Sequence, residues 1–144
     1  MHRFLRILTA VYLLAVAWIT LNPFPGDPHE NGLFDQLLSV LAGTPGLTWV
    51  TYDVAEFSAN VLLFVPMGVL LTLLLGVRNW WLALALGVAV TLTIEFAQLF
   101  LPARVSDPRD LLANTLGALI GIGVVTVAAA ARVRRAAAAS VPAS

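Results

Sequence analysis

A chain of 144 residues that is 60% hydrophobic and only 11% charged, with a mean hydropathy of +0.91, lies outside the range of soluble domains, which carry charge on about a quarter of their residues. The absence of cysteine excludes disulfides, thiol catalysis and cysteine-ligated metals, and the absence of lysine excludes Schiff-base chemistry and P-loop phosphate binding. A net charge of zero offers no basic patch to nucleic acid, so function is to be sought in how a few charges are distributed along an apolar chain.

Four apolar runs predict an all-α polytopic membrane protein, with four transmembrane helices in a small bundle. The first, residues 4–21, follows Arg3 and contains Arg6, whose stem can carry its charge to the membrane surface. Ala15-Val16-Ala17 also resembles a signal-peptide cleavage site, but the run continues past it through Trp18 to Leu21. Residues 22–56 form a long polar connection with five acidic residues and no arginine. Within it Leu33, Phe34, Leu37, Leu38 and Leu41 recur at helical spacing, which predicts a short amphipathic surface helix over 32–42.

The second run, 57–77, contains Pro66, which cannot donate to the carbonyl of Leu62 and should leave an open acceptor in mid-helix. Arg78 and Asn79 make a turn, and Trp80 and Trp81 anchor the third run, 80–101, at the interface. That run is apolar except for Thr91, Thr93, Glu95 and Gln98, and Thr91, Glu95 and Gln98 share one helical face. The fourth run, 111–131, ends at Arg132, Arg134 and Arg135. Residues 1–135 thus read as one transmembrane domain and 136–144 as a disordered tail. With four crossings, six arginines fall on one side, while Arg104 and Arg109 lie among seven acidic residues on the other. Both termini are then cytoplasmic by the excess of positive charge.

The fourth run is introduced by Arg104-Val-Ser-Asp107-Pro-Arg-Asp110, and Asp107, Asp110 and Asn114 share one helical face that Gly117 and Gly121 continue. Helix capping by Ser106 or Asp107 ahead of Pro108 explains part of this pattern, but not Arg104 or Asn114. The spacing Asp53, Glu56, Asn60 repeats as Asp107, Asp110, Asn114 at a constant offset of 54 residues, which reads as a parallel internal repeat. Asn60, Glu95, Gln98 and Asn114 should converge in one layer. An ionisable group in a membrane span costs about 2.5–3.5 kcal/mol at the centre, so Glu95 is expected to meet polar partners or water.

Asn60-Val-Leu-Leu-Phe64-Val-Pro66-Met-Gly68, Glu95-Phe-Ala-Gln98 and Arg104-x-x-Asp107-x-x-Asp110-x-x-x-Asn114-x-x-Gly117 resemble the VanZ family, bacterial membrane proteins named for a member linked to low-level teicoplanin resistance. The resemblance is strongest over residues 53–121. It implies a small helical membrane domain, multi-pass in the bacterial cell membrane, and it carries no reaction.

Three functions suit these residues. The first is a site for an amphipathic envelope lipid or cell-wall precursor, with Glu95 and Asp110 as candidate acid or base. Arg104, Asp107, Asn60, Gln98 and Asn114 are then the binding groups, the guanidinium matching phosphate oxygens. The second is a structural or partner-binding subunit using Ala113, Gly117 and Gly121 for helix contact within the chain or in a homo-oligomer. The third is a proton-coupled carrier relayed by Glu95. No metal or cofactor is expected: carboxylates alone would bind Mg²⁺ weakly beside arginines, and His2 and His29 lie outside every motif.

Overall fold

A computed structural model of the protein describes residues 2–22, 40, 43–44, 51–102 and 107–139. Its helices are α1 (His2–Leu21), α2 (Tyr52–Leu75), α3 (Trp80–Gln98) and α4 (Pro108–Ala139), with a single 3-10 turn, Val77–Asn79, between α2 and α3. There is no strand among the described residues, and all four helices are long and apolar enough to cross a membrane. The all-α polytopic architecture is therefore the one expected. The surface helix over 32–42 falls outside the described residues, Val40 excepted, and so does Arg104.

Local chemistry explains the helix ends. Thr51 caps α2 by accepting a hydrogen bond from the Val54 N–H at 3.4 Å, and Asp53 adds a negative charge to the first turn, where the helix dipole favours it. Helix α2 thus begins five residues ahead of its apolar run. It stops at Gly76, whose φ of 84° is open to glycine and costly for other residues; the Gly76 N–H donates to the Thr72 carbonyl at 2.9 Å. At α4, Asp107 accepts from the Arg109 N–H at 2.8 Å, and Pro108 occupies the first helical position, where its missing N–H is no loss. The other end of α4 runs past its apolar stretch to Ala139, because alanine and arginine are strong helix formers.

Helices α2 and α4 run side by side and form the principal contact, α3 packs on both, and α1 lies against α2 and α3 at the edge. Between helices in lipid the hydrophobic effect gives little, so packing depends on close approach at small residues. A side chain on Gly117 would collide with the backbone of Val61 and with Phe64 Cβ at 2.9 Å, and one on Gly121 with Val69 N at 2.8 Å. Gly68 faces Ala118 in the same way. Phe64, Met67, Leu71, Ile94 and Ile122 fill the core around this seam.

Next to Pro66 a residue from another helix reaches the α2 backbone, at the Leu63 carbonyl and not at the Leu62 carbonyl expected to be open. Tyr12 on α1 donates its hydroxyl to the Leu63 carbonyl, and the Met67 N–H faces the same phenol oxygen. Leu63 O and Met67 N are the i, i+4 pair one step beyond the proline gap, so the hydroxyl meets the helix where Pro66 loosens it.

Candidate functional site

Antiparallel α3 and parallel α2 and α4 bring the acidic ends of the helices together with a ladder of polar side chains beneath them. At the top, Asp53, Glu56, Phe57, Asp107, Arg109 and Asp110 line a small cleft of about 70 Å³. Arg109 Nη1 lies 3.6 Å from Asp53 Oδ2, both side chains being more than two-thirds exposed, so this pair adds at most about 1 kcal/mol. Glu56 sits within electrostatic reach of Asp110, Asp107 and Asp53. Four carboxylates therefore share the cleft with one guanidinium among the described residues. No group of three or more acidic or histidine side chains there has metal-holding geometry.

One level down, Asn60 Nδ2 donates to Asp110 Oδ1 at 2.7 Å, joining α2 to α4. A turn further along α4, Asn114 Nδ2 donates to Thr91 Oγ1 at 2.8 Å. Thr91 is fully buried and Asn114 is 3% exposed. Glu95 stands one turn from Thr91 toward the acidic end of α3, as Asp110 stands one turn from Asn114 on α4, which puts Glu95 and Asp110 at about the same height. Gln98, the next polar residue on that face of α3, donates from Nε2 to the Thr20 carbonyl at 3.1 Å and so holds the end of α1. Glu95 Oε1, Gln98 Oε1 and Asn114 Oδ1 are all closed to solvent. Gln98 Oε1 and Asn114 Oδ1 have no hydrogen-bond partner among the described residues.

The residues predicted from sequence thus occupy a ladder. Asn60 meets Asp110, Asn114 meets Thr91, Glu95 stands beside them on α3, and Gln98 turns toward α1. Asp107 uses one carboxylate oxygen as the cap of α4, the structural role open to it from its place before Pro108. Asp53, Glu56 and Asn60 are not used as their counterparts are: Asn60 crosses to Asp110, while Asn114 goes to Thr91. Tyr12 and Thr20 escaped notice in the sequence. Thr20 contributes only a backbone carbonyl, which no residue type announces, whereas Tyr12 is a hydroxyl inside an apolar run and Pro66 a broken ladder awaiting one.

The VanZ/LLP1 family model matches residues 9–129. The chain belongs to this family. Among its relatives is Protein VanZ of Enterococcus faecium, 27% identical over 117 residues that cover 81% of this chain and 70% of that protein. No solved structure matches the chain. The VanZ/LLP1 match spans every residue of the ladder and ends before Arg132, leaving the arginine-rich extension of α4 outside it. Four apolar helices and VanZ/LLP1 membership together make this a multi-pass membrane protein.

Proposed function

We propose that the cleft and ladder form a head-group site for an amphipathic envelope lipid or cell-wall precursor. The protein sits in the bacterial cell membrane with both termini in the cytoplasm and the cleft on the outer face. In the ladder, Glu95 and Asp110 are the groups able to move a proton. Asn60, Gln98 and Asn114 bind hydroxyl or amide groups, Asp107 holds the start of α4, and Arg104 and Arg109 attract an anionic head. A role of such a site in glycopeptide resistance of the teicoplanin type is part of this proposal.

The observation that carries the reading is the pair of buried amide oxygens on Gln98 and Asn114, which find no donor among the described residues. A buried acceptor left without a donor costs about 1–3 kcal/mol, an expense that a purely structural cross-link does not require. Both oxygens are closed to solvent and neither residue lines the cleft, so a ligand donor reaches them only once the helices part along the ladder. The site is also one-sided. In the other half of the bundle the hydroxyls of Thr72 and Thr126 are taken by the carbonyls of Gly68 and Ile122 in their own helices, which offers no polar path to a carrier. The glycine seam of α4 is covered by α2, so a homo-oligomer would use another face.

The test is the lipid that accompanies the full-length protein through purification, identified by mass spectrometry. A lipid with a phosphorylated head should be enriched over bulk membrane and lost from Arg104→Ala, Asp110→Asn and Glu95→Gln while these variants stay folded. Arg104→Lys should lose it too if the planar guanidinium grips the phosphate. Bulk lipid composition in the parent and all variants alike would overturn the reading.

A further inference from the structure

A second groove lies at the opposite end of the bundle, between the last turn of α2 and the far half of α4. It has a volume of about 260 Å³ and is lined by Leu73, Gly76, Val77, Val124, Ala128 and Arg132 among others. The gap has a clear origin. The glycine seam brings α2 and α4 together near the acidic end, while farther along Gly76 has no side chain and nothing stands within 4 Å of where its Cβ would be. Facing it, α4 presents alanines at 128 and 129. Leu73, Val77 and Val124 remain 49%, 39% and 56% exposed, so the groove opens to lipid.

Its charge is as one-sided as its polarity. From Asp110 to Arg132 along α4 is about 33 Å, close to the roughly 30 Å of a bilayer core, which places Arg132 at the membrane surface. Arg78 lies in the 3-10 turn, which touches α4 at this end. The helix segments that reach this surface carry Arg3, Arg6, Arg78, Arg132, Arg134 and Arg135, and no Asp or Glu occurs before residue 27, between 57 and 94, or after 110. The helix segments that carry these cations thus bring no Asp or Glu side chain to this end of the bundle.

We propose that this groove binds an anionic phospholipid, one acyl chain lying against Val124 and Ala128 and the phosphate resting on Arg132, with Arg78 beside it. The stretch from Val124 to Arg132 is about 12 Å long, nearly the depth of one leaflet. Hydrocarbon fills any groove at this depth, and the arginines select the head. Basic pockets between transmembrane helices bind anionic heads in this way. The groove is independent of the acidic cleft, which lies at the other end of the bundle.

Native mass spectrometry of the full-length protein in mild detergent, titrated with phosphatidylglycerol or phosphatidylcholine, tests the assignment. Phosphatidylglycerol should be retained about fivefold more tightly than phosphatidylcholine, and Arg132→Gln should remove most of that preference. Ala128→Phe, which fills the groove from an exposed position, should abolish the specific bound lipid. Arg134→Gln, on α4 but not lining the groove, should reduce retention far less than Arg132→Gln does. Equal retention of both lipids, an equal loss in Arg134→Gln, displacement by inorganic phosphate, or a dimer that Ala128→Phe disrupts in place of a bound lipid would each overturn the proposal. Should Ala128→Phe fail to fold, Arg132→Gln set against Arg134→Gln decides alone.

Discussion

Replacing Gly117 by alanine is the most direct probe of the contact that sets the ladder. A methyl group there would meet Phe64 Cβ at 2.9 Å and the carbonyl carbon of Val61 at 3.0 Å, with the Val61 oxygen closer still. Carbon atoms prefer about 3.5–4.0 Å, and the obstacle is mainly backbone, which cannot rotate away. Helices α2 and α4 must therefore separate by on the order of 1 Å, at a cost of about 1–3 kcal/mol for overpacking. The same shift would stretch the 2.7 Å bond from Asn60 to Asp110 to beyond hydrogen-bond range, adding about 1 kcal/mol. Gly123 provides the control: it lies in the same helix, two residues after Gly121, and nothing stands within 4 Å of its would-be Cβ. Gly123→Ala should be neutral or stabilising by up to about 1 kcal/mol through helix propensity. Reversible unfolding of both variants in mixed micelles, with free energies extrapolated to the folded condition, measures the difference. Gly117→Ala and Gly123→Ala agreeing within about 0.5 kcal/mol would refute the reasoning, since additive noise at independent sites is of that size.

Three further outcomes are expected. Thr91→Val removes the acceptor of the buried Asn114 amide, and a double-mutant cycle with Asn114→Leu should give a coupling of about 0.6 kcal/mol and at most about 1.7, the mean and the maximum measured in a helical membrane protein; strictly additive effects would deny the bond. Tyr12→Phe should cost about 1 kcal/mol, and less in a Pro66→Ala background, where residue 66 regains an N–H for the Leu62 carbonyl and the Leu63 carbonyl can close on the Met67 N–H. An equal cost in both backgrounds would separate Tyr12 from the proline. Since the chain has no cysteine, Ser140→Cys can be labelled without background, and an impermeant thiol reagent should reach it only after the cells are opened; labelling of intact cells would invert the orientation.

Membrane residence and the four crossings were legible along the chain because they depend on composition and length: an apolar run of about twenty residues has few fates other than a spanning helix. The start of α4 was nearly as legible, for the cap at Asp107, Pro108 and Arg109 needs only neighbours in sequence, whereas α2, capped by Thr51, begins five residues before its apolar run. Glu95, Gln98 and Thr91 were recognisable as one face of α3 by spacing alone, and Gly117 and Gly121 as a surface for close approach. Which groups these faces meet was not legible. Asn60 could have joined Asn114 or Glu95, and it meets Asp110; Gln98 could have pointed into the bundle, and its amide holds the Thr20 carbonyl. Such choices depend on the register between helices, which is decided where the backbones touch, at Gly117 on Val61 and Gly121 on Val65. A shift of one helical turn along that seam would keep every helix and every sequence pattern and exchange all the partners. The fit of the glycines against the α2 backbone selects one register, and with it the site.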